Sequence, residues 1–285
     1  MHLSKGGKAK LARNIVNVLK VDSAVSCFSP YSLDFLRNKH NKNVLLGYIN
    51  VNSIRNNLQN RFNGIRDNFD VFSIAETKLD SFFPNAQFLM PGYKTPYRLD
   101  VSDTSGGLMV YVKKGLPSLQ LTSFSIPKDI QIIPIKIRLK NMKWLIISIY
   151  RPLKQDLRYF LSILVSLMGF FNYERCVIIG DFNAESSDVR MTPFLDTQIL
   201  HSHVKLKTCF KSKEDRCIDL ILSNQKHYLH STGSLSTGAS GFHLLVHTIL
   251  KSTYTRLKPK KIVHRCLRKF SQRYFEIDLK VELDN

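Results

Sequence analysis

Runs of apolar residues between positions 44 and 250 divide the chain into strand-like segments. Most runs are continuous and rich in β-branched or aromatic residues, which is typical of buried strands. Residues 133–139 instead alternate between apolar and other side chains, as in a half-exposed strand, and 143–150 should pair with them in a hairpin. The predicted strands cover residues 44–50, 69–75, 106–112, 133–139, 143–150, 176–180, 207–210, 217–222 and 244–250.

Two stretches carry the helical spacing of apolar residues. From Ile54 to Ile65 this spacing predicts an amphipathic helix that begins behind a cap at Asn52. Residues 156–171 predict a second one, whereas residues 80–105 are rich in Pro, Gly and polar side chains and are expected to form a loop. With 285 residues and 44% hydrophobic content, the chain can form one large α/β domain or two small ones.

The formal net charge is +20, and the ends of the chain carry a disproportionate share of it. Residues 1–43 contain 8 Lys/Arg against 2 Asp/Glu, residues 251–285 contain 10 against 4, and residues 44–250 contain 24 against 16. We therefore expect a basic N-terminal arm (1–43), a folded domain (44–250) and a basic C-terminal extension (251–285). Such an excess favours DNA or another polyanion over a membrane, because no amphipathic anchor is evident. For the N-terminal arm alone, a solvated basic tail is an equally good interpretation.

The sequence also indicates a cellular compartment. No apolar run reaches the length of a membrane span, and the first residues lack the apolar segment of a secretory signal. Five cysteines without a C-x-x-C pair fit a reducing environment. We therefore expect an intracellular protein, in the nucleus or the cytoplasm. Cys209 and Cys217 are interpreted as core thiols or surface bystanders rather than as zinc ligands.

Polar side chains follow several predicted strands at the point where each strand ends. In the segment 176–183, Gly180 lets the backbone turn, and Asp181 and Asn183 leave the same face of an extended chain. A carboxylate beside an amide suits a phosphate ester and its attacking water, although Gly-Asp-x-Asn is also good turn chemistry. If all these side chains met at one rim, they would form a metal-assisted phosphodiesterase site. The strand-end residues are Asn50, Glu76, Tyr150, Asp181 with Asn183, and Asp219.

A set of motifs occurs in a characteristic order from residue 44 to residue 250. The motifs are Ile49-Asn-Val-Asn-Ser-Ile-Arg55, Ala75-Glu-Thr-Lys-Leu79, Gly106-Gly-Leu-Met-Val-Tyr111, Ile149-Tyr-Arg-Pro152, Ile179-Gly-Asp-Phe-Asn183, Thr208, Cys217-Ile-Asp-Leu-Ile-Leu222 and Thr237-Gly-Ala-Ser-Gly-Phe-His243. Each is weak alone, but together they resemble the endonuclease/exonuclease/phosphatase superfamily. In particular they resemble the apurinic-type endonuclease domain of non-LTR (LINE-like) retrotransposons.

The resemblance implies a DNase I-like α/β fold, which is a four-layer α/β sandwich of two mixed β-sheets flanked by helices. It also implies an enzyme that nicks one strand of DNA with Mg²⁺, with Mn²⁺ as an alternative metal. Mg²⁺ suits such a site because it keeps most of its waters and needs only one or two protein oxygens plus a substrate phosphate. The product of such a nick is a 3′-hydroxyl that primes reverse transcription.

The resemblance further implies roles for individual residues. Glu76 would bind the metal with Asn52 nearby, Asp181 would orient or deprotonate the attacking water, and Tyr150 would stabilise charge in the transition state. Judged on the residues alone, Tyr150 could equally be a core tyrosine, Thr208 a strand residue and Asn52 a helix cap. The other implied positions are Asn50 and Asn183 for placing phosphate and water, Asp219 for fixing the tautomer of a catalytic His243, and Thr208, Arg151 and Ser240 for contacting phosphate or DNA.

The last motif departs from the family pattern. Relatives carry Ser-Asp-His or Ser-Asp-Phe-His, whereas this chain has Ser240-Gly-Phe-His243, with Gly241 in place of the aspartate. We expect the missing carboxylate to lower the nicking rate by about two to four orders of magnitude. The chain also ends at Asn285 without a polymerase, so we expect a truncated or decayed copy of such an element, or a sequence that covers only its first domain. The alternatives are an inactive nucleic-acid-binding remnant and a phosphatase of the same superfamily, although the high charge disfavours the phosphatase.

Overall fold

Strands dominate the part of the chain that the computed structural model describes, which is residues 33–55, 62, 65, 67–211 and 214–254. The helices in these ranges are α1 (Leu33–Lys39), α2 (Leu157–Phe171) and α3 (Thr192–Thr197). The strands are β1 (Asn43–Asn50), β2 (Val71–Ala75), β3 (Tyr97–Leu99), β4 (Leu108–Val112), β5 (Ser118–Gln120), β6 (Gln131–Leu139), β7 (Met142–Tyr150), β8 (Cys176–Asp181), β9 (His201–Ser202), β10 (Asp219–Ser223), β11 (Leu229–Leu235) and β12 (Leu245–Thr253).

These strands form two six-stranded mixed sheets with the same internal pattern. The first sheet has the order β11-β12-β1-β2-β4-β3, and the second has the order β5-β6-β7-β8-β10-β9. Each sheet has one parallel pair near its centre, β1 with β2 and β7 with β8, and antiparallel neighbours on both sides. Parallel strands end at the same edge of a sheet, so each central pair delivers the residues that follow it to one place.

The two-residue period of the strands distributes apolar side chains between three clusters. In β1, Leu46 and Tyr48 face a cluster shared by both sheets, whereas Leu45 and Ile49 face a cluster on the outer side of the first sheet. A third cluster lies between the second sheet and α2. Asp156 caps α2 by accepting a hydrogen bond from the backbone N–H of Tyr159 at 2.8 Å. The sheets are therefore held together by one core and covered by two others.

The predicted fold class is confirmed, because two mixed sheets pack in an α/β sandwich with helices outside them. The predicted hairpin is confirmed as β6 and β7, with a left-handed residue, Lys140, in its turn. Predicted strands 44–50, 69–75, 106–112, 176–180, 217–222 and 244–250 correspond to β1, β2, β4, β8, β10 and β12 with shifted ends.

Other elements differ from the prediction. The predicted strand 207–210 is wrong, since only Cys209 makes isolated bridges there, to Arg216 and His243. The sequence missed α1, α3 and four strands (β3, β5, β9 and β11), which are short, lie towards the edges of the sheets or carry few apolar residues. The first 32 residues, most of the predicted helix 54–65 and residues 255–285 lie outside the described residues. Among the described helices, none is long and apolar enough to cross a membrane.

Candidate active site

The two parallel pairs bring four of the predicted strand-end residues to one edge of the sandwich. Asn50 ends β1 and pairs with Ala75, so Glu76 comes directly after that pair. Tyr150 ends β7 and is in register with Asp181 at the end of β8. Gly180 allows this pairing because a Cβ at that position would lie 2.1 Å from the carbonyl oxygen of Ile149. Each sheet therefore contributes two polar groups.

The side-chain amide of Asn50 connects the two sheets. Its Nδ2 donates to Oε1 of Glu76 at 2.9 Å and to Oδ2 of Asp181 at 3.0 Å. Its Oδ1 accepts from the backbone N–H of Asn52 at 3.2 Å. Asn50 is fully buried, so these bonds fix its orientation and the assignment of its oxygen and nitrogen. The two carboxylates are 105 residues apart in sequence, and one amide thus holds them close together.

The loop that carries Glu76 has an unusual backbone. Glu76 has φ of 50°, a left-handed value that costs a residue with a side chain on the order of 1–3 kcal/mol and is enriched at functional sites. The backbone N–H groups of Thr77 and Lys78 donate to the carbonyl oxygens of Gly107 and Gly106, at 3.3 and 2.9 Å. A Cβ on Gly107 would lie 2.2 Å from Thr77 Oγ1, so the glycine pair before β4 is what lets the two loops approach.

Lys78 lies between the two residues predicted to bind a metal. Its ammonium contacts Asn52 Oδ1 and lies 3.8 Å from Oε2 of Glu76. Sequence reasoning did not assign Lys78 a role, although it stands two residues after Glu76 in a motif that the resemblance uses. The contact shows that the oxygens of Asn52 and Glu76 converge on one position and that this position already accommodates a positive charge.

Asp181 is buried and held by directed hydrogen bonds. Its Oδ1 accepts from the backbone N–H of Asn183 at 2.8 Å, while its Oδ2 accepts from Asn50. Burial raises the pKa of Asp181 to about 7, with a further contribution from the charge of Asp219. A carboxyl group that titrates near neutral pH is well matched to accepting a proton from water.

Tyr150 lies against the two acidic groups. Burial raises the pKa of Tyr150 far above its ordinary value, and the negative charges of Glu76 and Asp181 raise it further. The phenol therefore keeps its proton at neutral pH and is a hydrogen-bond donor. A neutral donor next to carboxylates can stabilise negative charge that develops on a phosphate.

A second group of predicted residues forms around Asp219. Oδ2 of Asp219 lies 2.9 Å from Nδ1 of His243, and the Cβ-less Gly241 is two residues before that histidine. Burial lowers the pKa of His243, but the adjacent Asp219 carboxylate outweighs this effect and the pKa ends well above its ordinary value. Thr208 Oγ1 accepts from the backbone N–H groups of Ile218 and Asp219 at 3.2 and 3.0 Å, which fixes the start of β10.

Asp219 is in antiparallel register with Asp181, so the second group lies next to the first. One potential ligand atom from each of Asp181, Asp219 and His243 lies within 4.8 Å of the other two. Oδ1 of Asp219 is buried and has no hydrogen-bond partner among the described residues. A buried, unpaired carboxylate oxygen is costly unless a proton or a cation compensates it, so this cluster has the charge expected of a cation site.

Arg151 does not have the environment that a DNA-contacting residue needs. The residue is only 3% exposed, and its guanidinium donates to the carbonyl oxygens of Phe182 at 2.6 Å and Asn183 at 3.0 Å, and also to that of Gln155. Asn183 returns the contact, since its Nδ2 donates to the Arg151 carbonyl at 2.8 Å. The guanidinium therefore holds the loop after β8, and the predicted contact between Arg151 and phosphate stays a prediction.

Ser240 is likewise engaged within the protein. Its Oγ accepts from the backbone N–H groups of Phe242 and His243 at 3.4 and 3.1 Å, so it closes the turn that presents the histidine. Gly241 is exposed, and a Cβ at this position would meet no atom within 4 Å. An aspartate could therefore be accommodated where the family pattern has one.

A model of the Endonuclease/Exonuclease/phosphatase family matches residues 47–240, which is more than half of the chain. The chain belongs to this family. In this endonuclease/exonuclease/phosphatase domain all of the strand-end residues described above lie within the matched range, and His243 follows it. Members of the family are nucleases or phosphatases that depend on a divalent metal, so a hydrolase with a metal site is the expected class. No curated protein matches the sequence.

Solved structures of other family members share the fold. The endonuclease domain of TRAS1, a telomere-specific non-LTR retrotransposon, is 13% identical with a TM-score of 0.58, over 73% of this chain and 98% of that one. The catalytic domain of Xenopus laevis APE2 is 13% identical with a TM-score of 0.57, and the match covers 76% of this chain and 94% of that one. The 3′ phosphatase NExo from Neisseria, bound to a product DNA hairpin, is 16% identical with a TM-score of 0.56, and the match covers 75% of this chain and 100% of that one.

Proposed function

We propose that this endonuclease/exonuclease/phosphatase domain is an Mg²⁺-dependent endonuclease that cuts one DNA strand and leaves a 3′-hydroxyl, as in non-LTR retrotransposons. The observation that carries the proposal is the Asn50 amide, which donates to Glu76 and Asp181 at 2.9 and 3.0 Å. This contact brings an acid from each sheet to one point, beside Tyr150 and the Asp219–His243 pair. Phosphodiester hydrolysis needs such a set, because separate groups must handle the metal, the water and the phosphate.

Glu76 and Asn52 are the residues we assign to the metal. Their oxygens already converge on a cation, the Lys78 ammonium, and carboxylate and amide oxygens are ligands that Mg²⁺ accepts. Mn²⁺ would fit the same oxygens. When bound, the metal would neutralise charge on the scissile phosphate. Lys78 would have to move aside, so its side chain competes with the metal for this position.

The other residues act on water and phosphate in the proposed reaction. Asp181 accepts a proton from the attacking water, and Asn50 and Asn183 keep its carboxylate oriented. Tyr150 donates a hydrogen bond to the phosphate as negative charge develops. Asp219 orients His243 through Nδ1, and Nε2 is the ring nitrogen we assign to the phosphate; because Nε2 lies 3.5 Å from Sγ of Cys209, it must leave that contact to reach the phosphate.

DNA is the proposed substrate for two reasons. The net charge of +20 favours a polyanion through counterion release. The structural relatives include a retrotransposon endonuclease and an enzyme bound to a DNA hairpin. A retrotransposon origin accounts for both the charge and the motif order.

One observation favours a second function. Gly241 removes the carboxylate that the family pattern places before the histidine, so the domain could keep its fold and charge as a DNA-binding module without nicking. The two functions predict different results for one experiment.

That experiment is Mg²⁺-dependent nicking of supercoiled plasmid by the purified full-length chain. We expect slow conversion to the open circle that stops with EDTA and in Glu76→Gln, while Glu174→Gln, a surface control whose side chain is 82% exposed, keeps wild-type activity. Undiminished nicking by Glu76→Gln would contradict the proposed site. DNA binding without any nicking would favour the binding module, and faster turnover of soluble phosphoesters than of plasmid would favour a phosphatase.

A further inference from the structure

The outer side of the hairpin β6–β7 carries a group of basic side chains, which we call the basic hairpin face. In β6 the odd-numbered residues from Ile133 to Leu139 pack in the core shared by both sheets, so Lys136 and Arg138 point outwards. In β7 Trp144 packs in the same core, so its neighbour Lys143 also points outwards. The basic hairpin face consists of Lys136, Arg138, Lys143 and, in the turn, Lys140.

The positive charges of this face are not compensated by acidic side chains. Arg138 lies directly opposite Lys143 in the hairpin register, where Cβ atoms are about 5 Å apart, so the two charges repel each other. None of the four cations forms an ion pair in the described part of the chain. The nearby Glu174, which precedes β8, pairs with its own neighbour Arg175 at 2.8 Å.

The sequence around the hairpin has the same imbalance. Residues 113–150 contain seven Lys/Arg and one acidic residue, Asp129, which lies before β6 at the opposite end of the strand from the turn. Like charges at opposed positions of a sheet lower its stability, so packing of the hairpin does not account for them. A bound polyanion would offset the repulsion.

The basic hairpin face lies away from the proposed active site. Tyr150 pairs with Gln131 at the active-site edge, whereas Lys140 is in the turn at the other end of the same two strands. At about 3.3 Å per residue, the seven positions from Lys143 to Tyr150 span about 23 Å. The cations therefore form a surface separate from the residues that would cut DNA.

We propose that the basic hairpin face binds the phosphate backbone of a second segment of DNA, outside the segment held at the active-site edge. Duplex DNA carries one negative charge for about every 1.7 Å of its axis, which is dense enough to pair with several closely spaced cations at once. Such contacts involve phosphates alone and read no base sequence. An anionic membrane fits less well, because stable contact with a membrane surface also buries apolar side chains, and these four residues supply charge alone.

Stability and DNA binding should respond differently when the opposed pair is neutralised. Arg138→Gln/Lys143→Gln removes the repulsion, so we expect a melting temperature equal to or above that of the wild type, together with weaker DNA binding. Lys205→Gln/Lys226→Gln is the matched control. It removes the same charge from two exposed lysines near β9, which is at the edge of the second sheet away from the hairpin.

Binding is measured with the full-length chain by fluorescence anisotropy of a short labelled DNA duplex, in EDTA and over a range of KCl concentrations. Each phosphate contact contributes about 0.9 to the slope of log K against log salt. The slope should therefore become shallower by about two in Arg138→Gln/Lys143→Gln and stay at the wild-type value in the control. The same titration with an RNA duplex distinguishes the two kinds of backbone, and a loss confined to RNA would overturn the assignment to DNA.

An unchanged slope in folded Arg138→Gln/Lys143→Gln, or an equal loss in both double variants, would overturn the proposal. Vesicles of phosphatidylserine and phosphatidylcholine provide the test of a membrane partner. Vesicle binding that disappears in Arg138→Gln/Lys143→Gln while DNA binding is unchanged would assign the face to a membrane instead. Because EDTA prevents cutting, a wild type that never nicks plasmid would contradict the proposed function and leave this binding test valid.

Discussion

Replacing Arg151 with lysine tests whether Arg151 positions the active-site loop or binds DNA. Lysine keeps the positive charge that the sequence interpretation assigned to phosphate binding. It loses the planar fork through which the guanidinium reaches the carbonyl oxygens of Phe182, Asn183 and Gln155. Arg151→Lys therefore leaves electrostatic attraction to DNA intact and loosens the loop that carries Asp181 and Asn183.

The magnitude follows from the lost bonds. A lysine ammonium can replace about one of the three contacts, and a hydrogen bond to a charged group contributes about 1.5–3 kcal/mol, so the loss is about 3–6 kcal/mol. That is a large fraction of the roughly 5–15 kcal/mol that stabilises a typical domain, so we expect a lower melting temperature in a protein that still folds in the cold. A displacement of about 1 Å at Asp181 or Asn183 lowers kcat on the order of 100-fold.

The assay compares kcat, KM and salt dependence of plasmid nicking, in a Gly241→Asp background and well below the melting temperature of each protein. Arg190→Lys is the matched control, because Arg190 pairs with Asp188 at 2.6 Å on the surface. We expect kcat alone to fall in Arg151→Lys and nothing to change in the control. An unchanged kcat, with an unchanged salt dependence because the charge is kept, would refute the positioning argument.

Three further results are expected. Gly241→Asp should raise Mg²⁺-dependent plasmid nicking by about two to four orders of magnitude, since the new side chain has free space, and an unchanged rate would show that this position is unimportant. Glu76→Gln should abolish nicking without weakening DNA binding in a mobility-shift titration; weaker binding would instead make Glu76 part of the DNA interface. Burial lowers the pKa of His247 to about 4, so its contribution to stability is present above about pH 6.5 and is lost as the pH falls towards 4. In urea titrations, the free energy of unfolding of His247→Leu should therefore depend less steeply on pH in that window than that of the wild type, by up to about 1.4 kcal/mol per pH unit. An equally steep dependence in both proteins would assign the titration to another group.

The sequence predicts those parts of the fold in which local pattern and burial agree. Continuous apolar runs become the central strands, and the polar residue that ends each run reaches the active-site edge because the strands are parallel in pairs. Edge strands such as Leu229–Leu235 have few apolar residues, so nothing in their pattern distinguishes them from loops.

The parts of the site that the sequence misjudges depend on contacts between distant segments. The partners of Arg151 include backbone carbonyls 31 and 32 positions away, and a carbonyl carries no sequence signal. Cys209 meets His243 across 34 residues, and no local spacing in the sequence reveals this contact. The resemblance supplied the residues of the site, but only the three-dimensional arrangement shows which donors are already used.

The apolar cluster shared by both sheets forms a layer between them, and this layer affects the chemistry at the active-site edge of the sandwich. Tyr48 and Ile179 lie in this layer, each two residues before Asn50 or Asp181, and the layer keeps the two sheets apart. Interiors of this density respond to the loss of even one methylene group. The packing of groups that never meet DNA therefore sets the width of the opening between an amide on one sheet and an acid on the other. Substitutions that change the volume of side chains in this layer should therefore change turnover, although they alter no charged group.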